Sequence, residues 1–353
     1  MAKRKKKVSE NSATQNGILT IGLDIGYGVV KAITDEVAIT FPSVAGHARD
    51  IKFQQDYLTD KYAGDQITDD FGQWFVGELA LKQLTPGELL RLRGRTANEV
   101  TMGNAFRLRL AKVAIAKLIR GVGLGDVVHV RLASGLPVDH MQDAQELKEA
   151  LTGQHLIKTD QVEMVVNITE VMVMPQAYGA LYAAMLTEQG EINVRHTFMR
   201  TGVCDVGTYT VDIALDDDGE FVSSQSGSVE GGVYTAQERI AAMLERDYRE
   251  KIPFGMIEQV LKTGYFTASG KTIDYRNEVE EALAPLRSAT LNLMSEKWQR
   301  GTTVDVIYMA GGGAELVFPD VKDAYPQAKL LKDAQLANAR GYLNYAHYAR
   351  YND

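Results

Sequence analysis

ILTIGLDIGYGVVKAIT, residues 18–34, is a run of β-branched and apolar residues interrupted by Gly26-Tyr27-Gly28. Such a run reads as strand, glycine turn, strand. VAITFPS, residues 37–43, extends it as a third strand that ends near Pro42. The pattern returns in HTFMRTGVCDVGTYTVDIALDDDGEFVSSQSGS, residues 196–228, as strand, glycine turn, strand, DDDG turn, strand. After each hairpin the chain alternates strands and helices, which predicts an α/β protein built of two similar lobes.

Working outward, residues 47–96 mix short apolar pieces such as QWFVGELAL with Gly and charge, and predict a small irregular subdomain inserted in the first lobe. Phe106, Leu110, Val113, Ala114 and Leu118 recur at helical spacing and predict a helix over about 98–120. DVVHVRLASG (126–135) reads as a buried strand, followed by a turn at Pro137 and a short helix ended by Gly153. VEMVVNITEVMVMP (162–175) is strand-rich, and QAYGALYAAMLTEQ (176–189) predicts a helix capped by Gly190. Further helices are expected over 234–250 and 276–298, then a strand, glycine loop and helix in VDVIYMAGGGAEL (304–316), and a final helix in QLANARGYLNYAHYAR (335–350).

With 353 residues the chain exceeds one ordinary core, in keeping with two lobes. Its 45% hydrophobic and 24% charged residues are those of a soluble globular protein, and no apolar run approaches the roughly 18 residues of a membrane span. The single cysteine, Cys204, excludes an internal disulfide and a thiolate metal cluster, and reads as a core thiol. The six histidines show no ligand spacing. A cytoplasmic protein is expected. The leader MAKRKKKVSE is basic without an apolar stretch behind it, so it does not read as a secretory signal. It holds five cations and one anion within a net charge of −8, so the body is acidic and offers no broad nucleic-acid surface. Direct DNA contact could come only from Lys3, Arg4, Lys5, Lys6 and Lys7, in a tail over residues 1–16 that is expected to be disordered.

Three glycine-rich turns carry the chemistry. In Asp24-Ile-Gly26-Tyr27-Gly28-Val-Val-Lys31 the glycines let backbone N–H groups approach a phosphate. The acid there can hold a hydrated Mg²⁺, and the lysine can neutralise a phosphate oxygen. Asp205-Val-Gly207-Thr208-Tyr-Thr210-Val-Asp212 is the same device in the second lobe. Gly311-Gly312-Gly313 lacks a charge and suits close approach to a base or sugar. A lone D-x-G is more often only a tight turn, but two that each open a hairpin, followed by the third loop, form a set. Neither a P-loop nor a Rossmann glycine motif is present.

The set resembles the actin, sugar-kinase and heat-shock-chaperone ATPase superfamily, with its ribonuclease H-like lobes and a nucleotide cleft between them. Asp24, Gly26, Gly28 and Lys31 match the first phosphate motif, and Asp205, Gly207, Thr210 and Asp212 the second. Gly311, Gly312 and Gly313 match the adenosine motif. LDIGYGVVKA, FPSVAG, WFVGELA, LASGLPV, MPQAYGAL and LANARGYLNYA, in that order, resemble the plasmid-segregation (ParM/StbA-type) branch. The resemblance implies ATP, with GTP as the alternative, bound with Mg²⁺ held through water by Asp24 and Asp205. Gln176, alone an ordinary first-turn residue, falls where the family positions the attacking water. Two departures stand out: Tyr27 replaces a small hydroxyl residue near the γ-phosphate, and the second motif has no counterpart of Lys31.

The implied lobes are 17–188 with 333–353, carrying the insertion at 47–96, and 189–332. The implied function is a filament that hydrolyses ATP, partnered by its own copies, by a DNA-binding adaptor protein and by a plasmid centromere. Rival readings are a small-molecule kinase using Asp139 after GLPV, or an ATP-switched scaffold. A chaperone lacks its large substrate domain here.

Overall fold

The computed structural model describes residues 17–51, 60–91, 97–193 and 199–352. The basic leader at 1–16, expected to be a disordered tail, lies outside the described residues.

The opening motif forms a meander of β1 (Ile18–Ile25), β2 (Val29–Ile33) and β3 (Ala38–Pro42). Next come β4 (Val44–His47), β5 (Gln66–Asp69), β6 (Gly72–Val76), α1 (Gly77–Gln83) and β7 (Leu90–Arg91). The long helix α2 (Ala97–Val122) then leads into β8 (Val127–Leu136), which lies parallel to β1. After α3 (Ala144–Leu151), β9 (Gly153–Thr159) turns back into β10 (Glu163–Pro175), parallel to β8. All ten strands join one sheet in the order β3-β2-β1-β8-β10-β9-β5-β6-β4-β7. Thus the strands of residues 44–91 extend the lobe's own sheet, hydrogen-bonded to it where β5 meets β9. Phe106, Leu110, Val113, Ala114 and Leu118 of α2 bury against Ile21, Leu23, Val130 and Leu132, each of the larger side chains contributing about 1.5–3 kcal/mol and the Ala114 methyl less than about 1.

α4 (Gln176–Met185) leads to the second lobe, whose hairpin is β11 (Arg200–Val206) and β12 (Thr210–Asp217), followed by β13 (Glu220–Phe221) and β14 (Gly227–Glu230). The chain continues through α5 (Val233–Tyr248), α6 (Phe254–Thr263), the hairpin β15 (Tyr265–Ala268) and β16 (Lys271–Asp274), and α7 (Arg276–Trp298). It ends with β17 (Val306–Ala310), α8 (Ala314–Ala324), β18 (Ala328–Leu330) and α9 (Ala337–Asn352). The order β13-β12-β11-β17-β18 repeats β3-β2-β1-β8-β10 of the first lobe. The repeat extends to single residues: Asp24 is paired across its hairpin with Lys31, and Asp205 with Asp212.

α4 and α9 join the lobes. They touch backbone to backbone, since a Cβ on Gly341 would collide with the Gly179 carbonyl, and one on Gly22 of β1 with the Ala339 carbonyl. Ala180 and Leu181 of α4 pack with Val203 and Ala310 of the second lobe, whereas Tyr342 of α9 packs with Ala133 and Met174 of the first.

Two local expectations need correction. The helix after Pro175 stops at Met185 rather than reaching Gly190. Leu186 is extended and bridges Ile192, and Gly190, at φ +81°, is pressed against His347 and Tyr348 of α9, so a tight turn replaces the last helical turns. The stretch between α5 and α7 also holds α6, which buries Ile257, Val260 and Leu261 at helical spacing, and the short β15–β16 hairpin; neither was expected.

Candidate functional site

Asp24 ends the buried part of β1 and is 1% exposed. Across the hairpin Lys31 donates from Nζ to Asp24 Oδ2 at 2.8 Å, and Gln176, the first residue of α4, donates from Nε2 to Oδ1 at 3.3 Å. Burial works to lower the Lys31 pKa, but attraction to Asp24 and then Asp205 outweighs it, so the ammonium holds its charge. The turn is braced by Ser43 of the FPSVAG segment, whose hydroxyl donates to the Gly26 carbonyl at 2.6 Å and whose N–H donates to the Gly28 carbonyl at 2.9 Å.

The second hairpin offers a contrasting charge pattern. The place that Lys31 occupies in the first lobe is filled by Asp212, which accepts a hydrogen bond from Thr210 Oγ1 at 2.8 Å. Asp205 is 4% exposed, and its Oδ2 accepts from Asn338 Nδ2 of α9 at 2.7 Å. Burial pushes its carboxyl up to about 6; Lys31 and Asn338 pull it down, Asp212 and Asp24 push it up. Gly311, at φ +89°, packs so tightly on Asp205 and Val206 that a Cβ there would collide with both, and Gly313 N–H donates to the Val206 carbonyl at 2.9 Å. Gly312 between them is exposed. The start of α5 closes the same corner: Val233 N–H donates to the Gly207 carbonyl at 3.1 Å and Tyr234 N–H to the Thr208 carbonyl at 2.8 Å.

The two turns face each other. A Cβ on Gly28 would collide with the Thr208 side chain, so only a glycine permits this approach of the lobes. Beside it Tyr27 meets Tyr209 edge-on, with ring centroids 5.9 Å apart, and Tyr209 leans on Tyr234 at 4.7 Å. Tyr27 therefore contributes an aromatic contact between lobes where a small hydroxyl was expected.

Asp24, Lys31 and Gln176 thus share one hydrogen-bonded cluster, and Asp205 lies within electrostatic reach of Lys31. Gly26, Gly28, Gly207 and Thr208 line the facing turns, with Gly311 to Gly313 beside the second. Thr210 and Asp212 form their own pair on β12. Among the described residues no group of three His, Cys, Asp or Glu could hold a metal ion. Two buried carboxylates from opposite lobes suit a cation that keeps most of its water, as Mg²⁺ does. Cys204 is a buried thiol whose pKa burial drives up, an inert core residue.

Sequence reasoning assigned no role to Ser43, Asn338 or Tyr342. Their segments, FPSVAG and LANARGYLNYA, were visible only as points of resemblance, because their partners lie 17, 133 and 166 residues away.

Residues 22–179 match the family of actin like proteins, N terminal domain, and residues 203–323 match the archaeal actin homologue MreB-like family, C-terminal. No curated protein matches the chain. Among solved structures, the 15-stranded ParM filament from Clostridium botulinum aligns with a TM-score of 0.73 at 23% identity, over 93% of this chain and 98% of that one. An archaeal actin homologue in complex with ADP aligns with a TM-score of 0.71 at 21% identity, over 95% and 99% of the two chains. The apo psk41 ParM protein gives 0.70 at 21% identity, over 95% and 99%. At these identities the likeness is one of fold, a two-domain actin-like architecture. No helix among the described residues is long and apolar enough to cross a membrane.

Proposed function

Since residues 22–179 match an actin-like N-terminal family model and residues 203–323 an archaeal MreB-like C-terminal one, we propose that the chain binds Mg-ATP between its two lobes, assembles with its own copies into filaments, and hydrolyses the nucleotide to weaken the assembly. The observation that carries this reading is the meeting of two D-x-G hairpins from different lobes, with a charged lysine and two buried carboxylates at their junction. One similar structure is a filament and another holds ADP, which supports self-association and an adenine nucleotide respectively.

Asp24 and Asp205 fit a hydrated Mg²⁺: both are buried, they come from opposite lobes, and the Asn338 Oδ1 beside Asp205 is a buried acceptor without a partner. The cation would supply charge neutralisation to the phosphates. Lys31 exchanges part of its contact with Asp24 for phosphate oxygens, and the backbone N–H groups around Gly26–Gly28 and Gly207–Thr208 donate to the rest. Gly311 to Gly313 let the backbone lie close against adenosine. Gln176 orients the attacking water through its side-chain amide; a neutral amide aligns water well but is a poor proton acceptor. GTP remains the alternative nucleotide. A role in plasmid DNA segregation or a related cytoskeletal task, with a DNA-binding adaptor and a centromere as partners in the cytoplasm, accompanies this reading. Sedimentation and light scattering with Mg-ATP, with ADP and without nucleotide test it. ATP-dependent pelleting followed by disassembly on phosphate release is expected; a monomer at every concentration with nucleotide bound would overturn the filament reading.

A further inference from the structure

Asn338 comes from α9, 133 residues after the acid that it touches. It is 5% exposed, and its Nδ2 donates to Asp205 Oδ2 at 2.7 Å. That bond settles which way the amide faces, because a flipped amide would set two oxygens against each other. The other end, Oδ1, is buried and has no hydrogen-bond partner. An orphaned amide oxygen costs about 1–3 kcal/mol, so its persistence at such a site calls for a donor that is part of the working state.

The placement of Asn338 is rigid. A Cβ on Gly179 of α4 would collide with the Asn338 backbone, so the two helices touch without any intervening side chain. One turn further along α9, the fully buried Tyr342 donates from its hydroxyl to the Gln176 carbonyl at 3.3 Å. The same helix therefore holds Asp205 with one residue and the start of α4 with another. A helix of the first lobe is hydrogen-bonded to the metal-side carboxylate of the second.

We propose that Asn338 is a positioning residue for the hydrated cation: its amide N–H fixes Asp205 while its carbonyl oxygen accepts from a water of the cation's shell. This rests on the proposed Mg-nucleotide site and adds to it an acceptor that no phosphate motif contains. Donors of the kind that Oδ1 lacks are what a cation-bound water offers, since coordination makes its hydrogens more acidic.

The test is calorimetric titration of the full chain with ATP in Mg²⁺ and again in EDTA. Wild type should bind ATP more tightly with Mg²⁺; absence of that difference would overturn the Mg-nucleotide site itself. Asn338→Leu, which removes donor and acceptor while keeping the branched shape, should cut the Mg²⁺-dependent gain by about tenfold or more and leave affinity in EDTA unchanged. Asn338→Asp keeps an acceptor but loses the N–H to Asp205 and sets a second carboxylate beside it; Mg²⁺ relieves that repulsion, so the variant should bind more weakly in EDTA and show an enlarged Mg²⁺-dependent gain. Opposite signs for the two variants are something a purely structural role would not produce. Equal losses with and without Mg²⁺, no change in either variant, or a lost gain in Asn338→Asp would overturn the proposal. Asn338→Asp decides alone if Asn338→Leu fails to fold.

Discussion

Lys31 Nζ lies 2.8 Å from Asp24 Oδ2, so the lysine and the carboxylate neutralise each other inside one hairpin. The pair is buried, at 13% and 2% side-chain exposure, and each partner makes the other's charge tolerable. In the second lobe the matching pair is Asp205 and Asp212, two acids. The first hairpin therefore pairs an acid with a lysine and the second an acid with an acid, and Lys31 also attracts Asp205 across the lobes.

Lys31→Met should destabilise the nucleotide-free protein by about 3 kcal/mol or more, because Asp24 would stay buried without its cation. Adding Asp24→Asn should recover most of that loss. Urea unfolding of the single and double variants checks this, and additive losses would show that the two side chains do not depend on each other.

Asp205→Asn should act differently at two pH values. The native carboxyl has its pKa raised to about 6 from an ordinary 3.8. Between those values the folded chain keeps a proton that the unfolded chain has released, so stability falls as pH rises through about 4 to 6. Above that window the ionised group stays destabilising. Asp205→Asn should therefore stabilise the nucleotide-free protein at pH 7.5, by on the order of 1–3 kcal/mol, and have much less effect at pH 4. It should also weaken Mg-ATP binding. An equal effect on unfolding at both pH values would count against the perturbed carboxyl.

Gly28→Ala probes the approach of the lobes. Gly28 does not have positive φ, so the cost of a side chain is contact with Thr208 and not backbone strain. Forcing the turns apart should weaken ATP binding by about 1–3 kcal/mol. Thr208→Gly in the same chain should restore most of it, as measured by calorimetry. A Gly28→Ala protein with unchanged affinity would mean that the turns do not need to meet.

Gln176→Ala should leave ATP affinity close to normal and slow phosphate release about a hundredfold, since water alignment contributes a few kcal/mol of the barrier. Filaments should still form with ATP and should persist longer. Light scattering recorded beside phosphate release measures both. Fast release with ordinary disassembly would remove Gln176 from the mechanism.

Much of this molecule was legible in its residues because its signals are local. A strand broken by Gly26-Tyr27-Gly28 must turn back on itself, and the repeat of that pattern around Gly207 announces a second lobe with the same strand order. The α2 period and the burial of Leu110, Val113 and Leu118 follow from the same kind of short-range pattern. Sequence periodicity failed where tertiary contact overrides it. The helix after Pro175 stops at Met185 because Gly190 is pressed against α9, a contact that no local pattern encodes.

What the amino-acid sequence determined by itself is the pair of hairpins, their glycine turns, and the acids and lysine set at fixed register beside them. These follow from strand alternation and from the residues that a turn admits. Tertiary structure alone decided that Gly28 would face Thr208, that Tyr27 would meet Tyr209, and that Asn338 would reach Asp205. Each of those contacts joins segments more than a hundred residues apart, brought together by the packing of α4 on α9 and by the closure of two separately folded cores. Such pairings depend on how whole elements stack, and no window of neighbouring residues carries that information.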